Sequence, residues 1–179
     1  MKKKILTMGL ALALAFNLTG CQNEKAVKGE AGQTLEEDIQ EESQEKIIKA
    51  SKEAPDLEGY TELTSLTANL RGPDSQDEIG LYIAAEWDEE AGLMLDDGQN
   101  WLLIVSNEDG HYLLFDDFIA LGSLDLYEIM DPDQDKLVTE YSSTAGLTIT
   151  SYAYDSESKS FKARVDFNLE GNVNRLTYN

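Results

Sequence analysis

The chain has 179 residues, and its 35 Asp and Glu against 14 Lys and Arg give a formal net charge of −21 at pH 7. This charge repels a phosphate backbone, so we expect no binding of nucleic acid. A single cysteine and a single histidine exclude disulfide frameworks within the chain and zinc sites made only of Cys and His, but they leave a carboxylate metal site open.

Residues 1–20 have the pattern of an export signal. Three lysines near the start precede a Leu- and Ala-rich run over 5–16, which is too short to span a bilayer. The run is followed by Leu18, Thr19, Gly20 and Cys21. An apolar residue and two small residues before a cysteine resemble the lipobox of bacterial lipoproteins.

The lipobox resemblance covers only the leader. It implies that the signal peptide 1–20 is removed and that Cys21 is acylated, so the protein is anchored in the cell membrane and faces outside the cytoplasm. The alternative is an ordinary secretory signal with a chance cysteine. Cleavage removes three lysines and no acid, which leaves 35 acidic and 11 basic side chains and a net charge of −24.

Residues 21–56 are predicted to be an acylated N-terminus and an acidic linker. The stretch 22–56 has no aromatic residue and few apolar ones, so it lacks the means to bury a core. A capping box at 34–37 and a narrow apolar stripe are compatible with a helix over about 35–51, but an isolated helix of this length is marginal in water. We therefore expect a tether that is disordered or partly helical.

Residues 57–179 are predicted to form a single β-rich domain, because both tryptophans and all eight tyrosines lie there. Strand patterns alternate with polar turns, and Gly110 suits a turn that needs a positive φ. The predicted strands lie over 79–87, 93–95, 101–105, 111–115, 124–130, 137–142, 147–154 and 161–169, with a strand or a short helix over 60–70. The apolar run 101–105 indicates a central strand covered on both faces.

The strand pattern predicts an all-β fold that is mainly an antiparallel meander. Three arrangements stay open at this point, namely a small sandwich, an open barrel and a propeller-like set of blades. No family resemblance is evident for this part of the chain.

Acidic residues dominate the stretch between Arg71 and Lys136, where 18 Asp or Glu and no Lys or Arg occur in 64 residues. If the loops that carry them gather at one edge of the domain, their field favours a divalent cation or a cationic partner. The alternative explanation is solubility, which exposed acids supply without any ligand.

One aspartate run resembles part of a calcium loop. Aspartates take its first, third and fifth positions, but Lys136 replaces the glycine at the sixth and Ser142 replaces the glutamate at the twelfth. The candidate Ca²⁺ ligands are Asp131, Asp133, Asp135 and Glu140. Asp-Pro-Asp is also ordinary turn chemistry, and a plain hairpin turn without a cofactor is the favoured interpretation.

The candidate binding residues are Trp87, Asp88, Glu89 and Glu90. Trp87 lies between two acids at a predicted strand end, so its ring is expected at the surface, where it suits stacking on a sugar or contact with a peptide. Trp101 opens an apolar run and is expected in the core.

His111 is the only imidazole, but no nucleophile motif accompanies it, and a histidine at a turn is usually a surface or hydrogen-bonding residue rather than a general base. The sequence therefore predicts a cell-envelope lipoprotein that presents a small acidic β-rich binding domain and is more a binder than an enzyme. A basic envelope or secreted protein or peptide is the favoured partner, and a monomer is expected. The alternative is an envelope hydrolase or a glycan-binding module with an aromatic and acidic site.

Overall fold

The computed structural model describes residues 45–173, which form eleven strands and, within that range, no helix. The strands are β1 (Lys46–Lys49), β2 (Thr61–Ala68), β3 (Asp77–Ile83), β4 (Trp87–Asp88), β5 (Gly92–Leu93), β6 (Gly98–Asn107), β7 (Gly110–Ala120), β8 (Gly122–Ile129), β9 (Lys136–Ser143), β10 (Gly146–Asp155) and β11 (Ser160–Glu170). The all-β prediction is confirmed. None of the described residues belongs to a helix long and apolar enough to cross a membrane.

The strands form three sheets, and every pairing between strands is antiparallel. The five-stranded sheet has the order β1-β11-β10-β9-β8, so four of its strands follow one another along the chain as a meander. The four-stranded sheet has the order β2-β3-β6-β7, and β4 pairs with β5. The predicted hairpins β6/β7, β8/β9 and β10/β11 are confirmed.

The two larger sheets share one hydrophobic core, and a bridge between Ser51, just after β1, and His111 of β7 links them. β6 lies between β3 and β7, and its residues 101–105 are all buried, as the continuous apolar run predicts. Tyr112 from one sheet meets Tyr154 and Phe161 from the other edge to face, with ring centroids 6.2 and 5.0 Å from its own. These aromatic contacts add to apolar burial in holding the sheets together.

The helix expected over 35–51 is wrong over Lys46–Lys49, which form β1 on the edge of β11. Alternation with a period of two explains the strand, because Ile48 is buried in the core while Ile47 is exposed. β1 thus joins the sheet although the linker was expected to extend to residue 56. The rest of the expected helix, over 35–44, lies outside the described residues, as do Cys21 and the leader.

A sharp corner carries the chain from β7 into β8 and from one sheet to the other. Leu121 turns it with a φ of 49°, and its N–H donates to the carbonyl of Asp97 at 2.7 Å. Gly122 follows because a Cβ there would collide with the carbonyl of Ser142. The corner thereby fixes the loop before β6 against the end of β7, which places one wall of the site described next.

Candidate functional site

A cleft of about 450 Å³ opens where the β4–β5 hairpin meets the start of β6. Its lining consists of Gly59, Ala84, Ala85, Glu86, Met94, Asp96, Gly98 and Gln99. We refer to these residues together with the hairpin 86–94 as the acidic cleft. Two of its lining side chains are carboxylates and one is an apolar methionine.

The hairpin beside the cleft is a correction to the expected strand 79–87. β3 ends at Ile83, where its pairing with β6 stops, and the chain resumes as β4 at Trp87. The N–H of Met94 donates to the carbonyl of Glu86 at 2.9 Å, which closes the base of the hairpin. β4 therefore pairs only with β5 among the described strands, and the hairpin stands apart from the larger sheets.

Asp88 holds the tip of this hairpin. Its Oδ1 accepts the N–H groups of Glu90 and Ala91, each at 2.8 Å, and Gly92 completes the turn with a φ of 79°. The hydrogen bonds from Ala91 and then Glu90 favour the charged carboxylate and lower the pKa of Asp88. Asp88 is thus a turn residue that keeps its charge, whereas Glu89 and Glu90 are exposed and carry no such role.

Exposed apolar side chains border the cleft on the two elements that flank it, and Met94 is the one among them that lines the cleft itself. On the hairpin side, Trp87 is 65% exposed. On the β7 side, Phe118 is 55% exposed and lies so close to Gly98 that a Cβ there would collide with its ring. The remaining members of this border are Met94, Leu95 and Leu121, each more than half exposed. Sequence reasoning found Trp87 and missed the others, because only the fold brings them together.

No cation neutralises the acidic cleft among the described residues. The ion pairs in that part of the chain use carboxylates elsewhere, and none uses Glu86, Glu89, Glu90 or Asp96. The cleft therefore combines unpaired negative charge with exposed apolar surface. Such a surface suits a ligand that has both positive charge and apolar groups.

A different set of acids forms an ion-pair cluster that sequence reasoning did not find. Asp77 is fully buried and accepts from the Arg71 guanidinium at 2.7 Å, from the Asn107 amide at 2.8 Å and from the Ser75 hydroxyl at 2.9 Å. Hydrogen bonds to Glu108 and then Asp77 raise the pKa of Arg71. The only sequence signal was that Arg71 is the last cation before the acidic stretch.

The cluster continues through the acid at the β6–β7 turn. Asp109 Oδ1 accepts from the Lys159 ammonium at 3.1 Å, and its Oδ2 accepts from the Tyr154 hydroxyl at 3.3 Å. The bond to Lys159 favours the ionised form and lowers the pKa of Asp109. These contacts join turns of both large sheets, so we interpret the ion-pair cluster as an element that stabilises the fold.

The structure does not bring the four candidate Ca²⁺ ligands together. Both carboxylate oxygens of Asp135 accept backbone N–H groups, from Asn69 at 2.9 Å and from Asp131 at 3.1 Å. Glu140 lies on β9, and a rise of about 3.3 Å per residue places it roughly 16 Å from Asp135. Asp131 accepts the N–H of Asp133 in the turn. Within 45–173, no group of three or more His, Cys, Asp or Glu is placed to hold a metal ion.

His111 has a hydrogen-bonding partner that the sequence did not indicate. Its Nδ1 lies 2.8 Å from the Ser106 hydroxyl, directly across the β6–β7 pairing. Ser106 pairs on its other side with Glu78 of β3, so acid, serine and histidine form a row across the sheet. In this order the carboxylate lies beside the serine and not behind the imidazole, which differs from the arrangement that activates a serine nucleophile.

Comparison of the chain with protein-family models, with curated proteins and with solved structures found no match. Function is therefore inferred from the geometry of the acidic cleft.

Proposed function

We propose that this protein is a lipid-anchored envelope protein whose acidic cleft binds a cationic peptide, or a cationic segment of an envelope or secreted protein, that also carries apolar side chains. The observation that supports this most is the combination of unpaired carboxylates with exposed apolar side chains around one cleft. Solubility alone explains exposed acids, but it gives no reason to expose Trp87 and Phe118 beside them.

The two parts of the cleft contribute differently to binding. Its charge raises the rate of encounter with a cationic ligand, and this effect is screened over about 10 Å in 0.1 M salt. Burial of Trp87 and Met94 against apolar groups of the ligand lengthens the life of the complex, since aromatic anchors supply much of the free energy of binding at interfaces. We expect salt to slow association strongly and dissociation little.

The test uses a synthetic peptide of alternating lysine and leucine and an analogue with glutamine in place of lysine. Trp87 is exposed and Trp101 is buried, so a blue shift in tryptophan emission on binding reports on the cleft. We expect the lysine peptide to bind and to weaken as salt rises. An equally strong glutamine analogue, or binding that ignores salt, would contradict the proposal.

Matched variants locate the binding charge. In the first, Glu86→Gln, Glu89→Gln and Glu90→Gln together remove three charges from the cleft while leaving the Asp88 turn intact. The control removes three exposed charges elsewhere, through Glu53→Gln, Asp133→Asn and Glu157→Gln. The first variant should bind at least about tenfold more weakly and the control about as well as the parent, because steering depends on local charge. If both variants bind the peptide equally weakly, the net charge of the protein and not the local charge of the cleft determines binding.

Trp87 also supports the second candidate, glycan binding. Its ring is 65% exposed and is free to stack on a sugar, and Gln99 in the cleft offers a polar partner. Trp87→Ala should abolish binding to an immobilised envelope glycan fraction while Glu89→Gln leaves it unchanged. Glycan binding without peptide binding would replace the first candidate.

The anchor has its own test, because it depends only on the lipobox resemblance. Wild-type protein should partition into detergent, and Cys21→Ala should leave an uncleaved precursor without lipid. Mass spectrometry of the mature N-terminus measures both. An unmodified N-terminus at another residue would remove the anchor and leave the cleft proposal unaffected.

A further inference from the structure

The first residues of β6 have a neighbouring strand on only one side. On the side of β7 the pairing extends to Gly98, which lies opposite Ala120. On the side of β3 the last contact is the hydrogen bond from the N–H of Ala84 to the carbonyl of Asn100 at 2.8 Å. Among the described strands, none pairs with residues 98–99 on the β3 side. We call residues 98–99 the free end of β6.

β3 leaves β6 where the chain turns into the β4–β5 hairpin. The N–H of Ala85 donates to the carbonyl of Ile83 at 2.9 Å, and the carbonyl of Glu86 accepts the N–H of Met94. If β3 continued in its register, Glu86 would lie opposite Gly98. Both residues instead line the acidic cleft. The cleft therefore lies where one further stretch of strand would run beside β6.

The backbone of Gly98 points into this vacated place. Successive residues of a strand direct their N–H and C=O groups to opposite sides. Asp97, just before β6, faces β7, since its carbonyl accepts the N–H of Leu121 at 2.7 Å. Asn100 faces β3, since its carbonyl accepts the N–H of Ala84. Gly98 is one residue from Asp97 and two from Asn100, so both hydrogen bonds assign its N–H and C=O to the side of the cleft.

The ring of Phe118 lies over Gly98 on one face of the sheet. Phe118 is 55% exposed, and a Cβ on Gly98 would collide with its ring. Residues directly opposite each other in an antiparallel pair present their side chains on the same face. A ligand residue opposite Gly98 would therefore place its side chain on the face of the Phe118 ring, where an apolar side chain suits best.

We propose that the peptide ligand of the acidic cleft binds as an extended strand added to the free end of β6, where its backbone donates to the Gly98 carbonyl and accepts the Gly98 N–H. This inference rests on the proposed function and adds to it the conformation and the sequence pattern of the partner. In such recognition main-chain hydrogen bonds supply affinity and alternate side chains supply specificity. Apolar residues at alternate positions lie on the face of Phe118, and Glu86 and Asp96 of the cleft lining attract the cationic residues between them.

Methylation of the peptide backbone tests this mode of binding. Two analogues of the alternating lysine and leucine peptide carry the same number of N-methyl groups, one on every leucine and the other on every lysine. In an added strand the N–H groups of one set point to β6 and those of the other set to solvent. We expect methylation of the leucines to weaken binding at least about tenfold, because it removes the hydrogen bond to Gly98, and methylation of the lysines to change it little.

The protein for this test is the whole chain from residue 21 with Cys21→Ser, so that no acyl chain contributes. Tryptophan emission measures binding of each peptide. A peptide with the same lysines and leucines in a helical period gives a further check, because it should bind more weakly than the alternating one. Tighter binding by that peptide would overturn the added strand.

Two variants of Gly98 test the same hydrogen bonds from the side of the protein. Gly98→Pro removes the N–H at the first residue of a strand, where proline is tolerated, and Gly98→Ala is the matched control that adds a Cβ but keeps the N–H. We expect the proline variant to bind the peptide at least about fivefold more weakly than the alanine variant. Thermal melts confirm that both are folded. In the parent, the peptide should slow hydrogen exchange of the Gly98 amide, as measured by NMR, and should leave that of Gln99 unchanged.

The outcomes separate this inference from the proposed function. If the unmodified peptide binds and the leucine-methylated analogue binds equally well, the added strand is wrong while the proposed function stands. If the unmodified peptide does not bind, both are wrong. Equal binding by Gly98→Pro and Gly98→Ala, with no slower exchange of the Gly98 amide in the parent, would also exclude pairing with β6.

Discussion

The acidic cleft and the ion-pair cluster use the same kinds of residue for opposite purposes. In the cluster, each carboxylate has a cation or a polar donor, and Asp77 is completely buried as a result. In the cleft, the carboxylates are exposed and unpaired, and apolar side chains stand beside them.

This difference shows where the few cations of an acidic protein are used. The buried carboxylate of Asp77 requires a partner because an uncompensated buried charge is very costly, so Arg71 is engaged there, while Lys159 pairs with the half-buried Asp109. Carboxylates at the cleft stay in water and need no partner. They are therefore free to attract a ligand. The following experiments test whether the carboxylates of the cluster stabilise the fold while those of the cleft do not.

The largest effect is expected from removing β1, which supports the cluster side of the molecule. A chain that begins at residue 57 loses the buried Ile48, the pairing of Ser51 with His111 and the bond from Lys52 Nζ to the Asp109 carbonyl. We expect its free energy of unfolding to fall by about 4–6 kcal/mol relative to a chain that begins at residue 45. Denaturant titration of both chains measures this, and coincident transitions would show that β1 contributes nothing.

Replacement of the buried carboxylate should have the next largest effect. Asp77→Ala leaves the Arg71 guanidinium and the Asn107 amide without their acceptor, so we expect a loss of about 3–5 kcal/mol. Glu108→Gln is the matched control, because Glu108 is mostly exposed and its ion pair should contribute no more than about 1 kcal/mol. Urea unfolding compares the two, and equal losses would break the distinction between buried and exposed pairing.

Acid should unfold the protein partly through a paired carboxylate on the five-stranded sheet. The hydrogen bond from Lys162, followed by that from the Glu157 N–H, lowers the pKa of Asp155 to about 2. A lowered pKa adds stability above the ordinary value near 3.8, and this stability is lost as the pH falls through about 2. Asp155→Asn should therefore melt earlier than the parent at pH 6 and converge with it below pH 2. If the melting temperatures of Asp155→Asn and the parent differ by the same amount at every pH in that range, the lowered pKa of Asp155 is not the source of the difference.

The smallest effect on stability is expected at the cleft. Glu86→Gln, Glu89→Gln and Glu90→Gln remove no ion pair of the described residues, so each should change the free energy of unfolding by no more than about 0.5 kcal/mol. Thermal melts check this on the same samples that are used for peptide binding. A marked destabilisation would mean that these acids belong to the fold, and it would remove the contrast between the two regions.

The candidate site was only partly predictable. Trp87 and its neighbouring acids are conspicuous in the sequence, because an aromatic residue between acids at a strand end points to the surface. Phe118 and Gly98 are not, since an aromatic residue in a strand usually indicates core. The turn role of Asp135 was predictable from local turn chemistry, but the burial of its carboxylate against Asn69 depends on a contact between distant strands.

The sequence by itself determined the all-β fold, the central position of β6 and the β6/β7, β8/β9 and β10/β11 hairpins. These features follow from side-chain alternation and turn residues within short segments, which are local properties. Only the tertiary structure decided that Lys46–Lys49 form a strand, that Asp77 is buried against Arg71, and that β10 alone among the described strands pairs with 164–170. Each of these depends on which distant segments meet in space, and the free energy of such contacts is not written in any one stretch of the chain.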